Sequence, residues 1–238
     1  MKRTLLALAL VIATPFAAGS QTIAPTARIQ QLAREITFRW AAAHPTVATE
    51  LGIGGYDGAF DDPSAAADER DAALIRGWMR RLDAIDVRGA SLRDRDDVLL
   101  LRAKLTGMLR ELTVYRRFER DYTYGARAVL DVVYTQFLYA PLAGINGATQ
   151  TDVARAWDDI AARLTAAPAF IVAAQKEATH PGHLFGVVGG RQLAGASDFL
   201  NGALTQAAKA QMAPERFRAF VAGRDRTVAT IRATKTYV

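Results

Sequence analysis

The sequence predicts an all-α fold, a multi-helix bundle of antiparallel helices. Three observations predict it. Apolar residues recur at three- and four-residue spacing through nearly every segment, no alternating strand of useful length occurs, and Ser, Thr and Pro stand where helices should begin. The chain has 238 residues, 50% of them hydrophobic and 23% charged. That is the balance of one ordinary globular domain.

Each element can be justified in order. Lys2-Arg3, the apolar run Thr4 to Ala13, the breaker Pro15 and the small residues Ala17 to Ser20 have the order of a secretory signal peptide, too short to span a bilayer stably. Residues 1–19 are therefore expected to be removed, leaving a helical domain over 20–238 and a periplasmic destination. From Ala27 to Ala43, Ile29, Leu32, Ile36 and Trp40 mark a helix that Pro45 ends. Gly52, Gly54, Gly55, Gly58 and Pro63 make Thr46 to Pro63 an irregular loop, docked through Leu51, Ile53, Tyr56 and Phe60.

Ser64 caps the next helix, whose stripe is Leu74, Ile75, Trp78, Met79, Leu82 and Ile85, with Asp68 and Glu69 at its positive end. After Gly89, Ser91 and Asp94 resemble a capping box. Val98, Leu101, Leu105 and Leu112 carry that helix to about Glu119, and the two should form an antiparallel hairpin. The segment Val129 to Leu138 is apolar nearly all round and is expected to be central and buried. Pro141, Gly144 and Gly147 interrupt the chain. Thr151 opens a helix, Pro168 begins another, His180 to Gly190 is a turn, and helices around Leu193–Leu204 and from Pro214 complete the domain.

Composition removes much chemistry. With no Cys there is neither a disulfide framework nor a thiol nucleophile, and three His (His44, His180 and His183) make a multi-histidine metal site improbable. Removing Lys2 and Arg3 leaves 28 bases against 24 acids, interleaved in sequence as in Arg93-Asp94-Arg95-Asp96. That pattern is a solvated helical surface rather than a nucleic-acid face. After signal cleavage no segment is apolar enough to cross a membrane.

Candidate motifs are weak. Pro181-Gly182 between His180 and His183 favours a surface turn over a metal site. The pairs Asp61-Asp62, Asp96-Asp97 and Asp158-Asp159 suit helix starts and surfaces, since helical neighbours diverge. Phe118, Tyr115, Tyr122, Tyr124, Tyr134 and Tyr139 either line a groove for a peptide or sugar or pack in the core, the second being favoured. No GxSxG, P-loop or dinucleotide fingerprint occurs.

Phe38-Arg39-Trp40, His44-Pro45-Thr46-Val47-Ala48-Thr49-Glu50-Leu51-Gly52 and Tyr56-Asp57 resemble the opening of the bacterial family called domain of unknown function 885. Leu82 to Asp86, the acidic start of the helix from Leu92, Arg163-Leu164 with Pro168, and the helix from Pro214 continue the resemblance in order. It implies an exported protein similar to zinc metallopeptidases, whose zinc and catalytic residues lie in a later HExxPGHH-like motif. Here Pro181-Gly182-His183 echoes that motif, but Glu177, Ala178 and Leu184 stand where its other His and Glu residues are expected.

No catalytic, metal-ligating or substrate-binding residue is therefore assigned, and no cofactor is expected in this chain, although zinc and a peptide substrate are implied for the full-length family. The expectation is the N-terminal helical half of a metallopeptidase-like hydrolase, an incomplete portion of a larger helical fold that is inactive alone. The alternative is a free-standing periplasmic binding or scaffold module without catalysis.

Overall fold

The computed structural model describes residues 25–140 and 147–236. The expected signal peptide, the interruption at Pro141 and Gly144, and the final Tyr237-Val238 lie outside the described residues. Among the described residues all regular structure is helical, and it is arranged around two apolar clusters.

The first cluster joins α1 (Pro25–Ala43), α3 (Ala65–Asp83) and α4 (Leu92–Arg110). Ile29 and Leu32 meet Ile75, Trp78, Leu82, Val98 and Leu105, the helical stripes expected from spacing. Ser64 accepts the Ala67 N–H and Ser91 the Asp94 N–H, so both N-caps exist, but Asp94 accepts from the Ser91 hydroxyl at 2.7 Å rather than from its N–H, so the expected capping box is half formed. Gly89, at φ 76°, turns the chain between the two helices. Arg102 then pairs with Asp83 across the hairpin at 2.5 Å.

Helix α4 does not continue to Glu119. Its last turn widens into a π segment, Glu111–Tyr115, and Arg116 adopts φ 44° before the short α5 (Arg117–Arg120). The β-branched and aromatic run Thr113-Val114-Tyr115 is a poor helix former, and Arg116 in the left-handed region closes the helix as a cap.

The second cluster is built on α7 (Gln150–Glu177), 28 residues and so about 42 Å long, with α6 (Tyr124–Tyr139) and α11 (Pro214–Thr236) packed along it. Val129, Val133, Trp157, Leu164, Ile171 and Phe220 form its centre. Thr149 rather than Thr151 caps α7, in a reciprocal capping box with Asp152. Pro168 lies inside α7 and starts no new helix. α8 (His183–Gln192) occupies most of the expected turn, and α9 (Ala196–Asn201) and α10 (Ala203–Gln211) complete the cluster.

Two further expectations need correction. α6 buries Ala126, Val129, Val132 and Val133 on one face only, whereas Tyr134, Leu138 and Tyr139 are exposed. The segment after Pro45 is not wholly irregular, because α2 (Pro45–Glu50) forms first. Proline's fixed φ suits the first helical position, so Pro45 both ends α1 and begins α2. Leu51, at the end of α2, is exposed rather than docked, while Phe60 stacks on Phe170 at 4.5 Å between centroids.

Candidate functional site

The α1–α2 junction leaves His44 alone between two helices, with extended φ −126° and ψ 80°. Its ring stacks on Trp40, one turn earlier, with centroids 3.9 Å apart. Asp61, from the loop, approaches Nδ1 at 3.5 Å, and Asp71, from α3, approaches Nε2 at 3.0 Å. The Nε2 contact is an ion pair rather than an aligned hydrogen bond. Burial opposes charge on the ring, but the two carboxylates outweigh it and raise the His44 pKa to about 9. Asp61 also accepts from the Thr46 N–H at 2.9 Å and its hydroxyl at 2.7 Å. Burial opposes its charge too, yet His44 and Thr46 hold its carboxyl below the usual range.

A second anchor fixes the same loop. Arg163, fully buried on α7, donates from Nε to the Ala59 carbonyl at 3.0 Å. Its Nη2 reaches the Pro45 carbonyl at 3.1 Å, the Thr49 hydroxyl at 2.8 Å and the Tyr56 carbonyl at 3.3 Å. Thr49 in turn donates to Asp57 at 2.7 Å. Burial lowers the Arg163 pKa to about 10, against Asp57, Asp61 and Asp159, which favour its charge. The glycine-rich loop is thus wrapped on one guanidinium, whose planar fork suits several acceptors at once.

Between the two clusters these elements line a cleft open to solvent, with a cavity of about 420 Å³, within the usual range of small-ligand sites. Trp40, Phe118, Tyr124 and Phe170 give it aromatic walls, and Asp61, Asp62, Asp68, Glu50, Glu111 and Asp131 give it carboxylates. Its basic side chains already have counter-charges: His44 has Asp61 and Asp71, Arg117 has Glu111 at 3.0 Å, and Arg127 has the buried Asp121. Asp62 pairs with Arg70 at 2.9 Å. Burial, then the carboxylates of Asp71 and Glu177, push the Asp68 pKa up to about 7. Burial raises Tyr124 to about 12, with Asp61 and Asp68 adding to it.

The residues singled out from sequence disperse. Asp61 and Asp62 reach the cavity instead of serving only as a surface pair, because the loop folds back over α1 and α3. Asp96 is exposed on α4, Asp158 pairs with Arg216 at 3.0 Å, and Asp159 lines a separate groove with Asp57 and Arg155. Of the aromatic group, Phe118 and Tyr124 line the cavity, while Tyr115, Tyr134 and Tyr139 are exposed. His44, Asp71 and Asp68 went unassigned in sequence, and the only signal for His44 was its place in the resemblance motif.

Zinc does not fit the residues present. His180 and His183 are exposed, with Thr179 beside His180 Nδ1 at 3.0 Å, and Glu177 accepts the Ala65 N–H at 3.2 Å. Both nitrogens of His44 face carboxylates while the ring is protonated, so it offers no lone pair. Among the described residues no group of three or more His, Asp or Glu is arranged to hold a metal ion.

A profile of the bacterial protein family of unknown function DUF885 matches residues 45–236. Among solved structures the chain is similar to a protein from Shewanella oneidensis, described as a candidate lipoprotein of unknown function, with a TM-score of 0.70 at 16% identity. The match covers 90% of this chain and 37% of that one, so this chain spans little more than a third of the other's length. No curated protein matches it.

Proposed function

Because the chain belongs to the bacterial family of unknown function DUF885, we propose that it is an exported protein forming the substrate-binding wall of a metallopeptidase-like hydrolase. The hydrolytic groups are then carried by the remainder of a longer family fold, and this chain is inactive alone. The observation that carries this reading is the ratio of coverage, 90% of this chain against 37% of its structural neighbour. Uncovered apolar side chains support it: Leu99 and Leu100 on α4, Leu138 and Tyr139 on α6, and Leu184 and Val188 on α8. Such surface is what a further packed layer would bury. The signal-like residues 1–19 and the neighbour's description as a candidate lipoprotein support export. No helix among the described residues is long and apolar enough to cross a membrane.

A second reading, a free-standing periplasmic binding or scaffold module, is supported by one observation: the chain's own helices bury two apolar clusters. Assays of quenched fluorescent peptides with added zinc test the first reading. A longer family member should hydrolyse them in a chelator-sensitive way, and this chain should not. Stoichiometric zinc and chelator-sensitive hydrolysis by this chain alone would overturn it.

A further inference from the structure

The charges around the cavity do not balance. Every basic side chain lining it already faces a carboxylate, yet three lining carboxylates, the exposed Glu50 and Asp131 and the half-buried Asp68, make no side-chain hydrogen bond or ion pair among the described residues. They come from three elements, α2, α3 and α6, and share the cavity with the aromatic walls of Trp40, Phe118 and Tyr124. We propose that this cavity binds an organic ammonium group, with Asp68 as its principal counter-charge and the aromatic rings as its walls. Deepening the substrate-wall reading, on which it rests, it makes the substrate class peptides that present an α-ammonium or a lysine side chain.

The cavity's chemistry selects this class. A partly desolvated ammonium is attracted both by carboxylates and by aromatic faces. An anionic ligand meets no unpaired cation in the lining. A divalent metal needs several oxygens converging on one point, whereas among the described residues these carboxylates form no metal-holding group. The position of Asp68 adds an independent argument. It is held near Asp71 and Glu177, and the cation that favours its charge, His44, lies between Asp61 and Asp71, so burial and the neighbouring carboxylates prevail and the fold bears a charge it would be more stable without. Perturbed, unpaired carboxylates in a cleft are a mark of function rather than of packing.

Calorimetric titration of the purified chain at pH 8 and low salt tests the proposal. The probes are a neutral tetrapeptide with a free N-terminus, its N-acetyl form, and an N-acetyl form carrying one lysine. Either amine-bearing peptide should bind at least about tenfold more tightly than the acetylated neutral one, and the two amine probes identify the source of the ammonium. Asp68→Asn should weaken amine binding about tenfold or more while leaving the thermal midpoint unchanged or higher, which a merely structural carboxylate would not do. Equal binding of all three peptides, no binding of any peptide or of n-butylamine, or an Asp68→Asn chain that binds amines as the parent does would overturn the proposal. Binding of n-butylamine but of no peptide would support the ammonium site and sink the peptide-wall reading instead.

Discussion

The hydroxyl of Thr227, on α11, donates to the carbonyl oxygen of Leu164 at 2.7 Å, four residues before Pro168 in α7. Proline has no N–H, so that carbonyl lacks its ordinary helical donor. Thr227 is fully buried and supplies the donor from the neighbouring helix. This is why α7 continues through a residue that should end it. Gly223, a turn earlier on α11, permits the close approach, since a Cβ there would lie 3.1 Å from the Thr165 hydroxyl oxygen.

Thr227→Val should therefore destabilise the protein by about 1–3 kcal/mol, the range for a buried acceptor left unpaired. In a Pro168→Ala background the restored N–H can serve Leu164, and the same substitution should have a much smaller effect. Urea unfolding of the four chains checks this. A coupling energy below about 0.5 kcal/mol would remove the link between the two residues.

Arg163→Met should lower stability by about 3 kcal/mol or more, because it removes four hydrogen bonds from one charged group and leaves the Ala59 carbonyl without its donor, while the Pro45 and Tyr56 carbonyls keep the Thr49 hydroxyl and the Ala59 N–H. Arg163→Lys should recover only part of this, since an ammonium cannot reproduce the planar fork. The urea midpoint should fall with its slope unchanged. A loss of under 1 kcal/mol would mean that the glycine loop is held by other contacts.

What was legible in the sequence was what local physics controls. Ser64 and Ser91 cap helices because their hydroxyls reach donors three residues on, and the stripes Ile75–Trp78–Leu82 and Val98–Leu105 follow from helical period alone. Pro168 was misread because its compensation lies on another helix. The site was invisible for the same reason: Asp61 and Asp71 stand 17 and 27 positions beyond His44, and only the folded loop brings both to one ring. Asp68 was read as an ordinary helix-start acid, whereas its neighbours Asp71 and Glu177, converging in space, are what perturb it.

Gly189 and Gly190 are adjacent in sequence and should respond oppositely to alanine. A Cβ at Gly189 would lie 1.8 Å from the Thr123 hydroxyl oxygen, whereas one at Gly190 meets nothing within 4 Å. Gly189→Ala must push α8 away from the start of α6 and should lower stability by about 1–3 kcal/mol. Gly190→Ala removes backbone freedom within α8 and should be neutral or stabilising by up to about 1 kcal/mol. Thermal melts of the two chains distinguish them, and equal midpoints would contradict the close packing of α8 on Thr123.

The cavity also sets the protein's dependence on pH. His44 takes a proton more readily folded than unfolded, so its contribution is whole below about pH 6.5 and lost as pH rises through about 9. Asp68 is likewise protonated more readily in the fold, so its charge destabilises increasingly from about pH 4 to about 7. The two shifts act in the same direction, while loss of the Asp61 charge, whose pKa is lowered, limits stability in acid. Stability should therefore peak in mild acid, at about pH 5, and decline towards pH 9. Asp68→Asn should flatten the decline below pH 7 and His44→Gln the decline above it. Melts across pH 4–9 check each limb separately. A profile that either substitution leaves unchanged would mean that the corresponding group does not sit in the electrostatic environment described here.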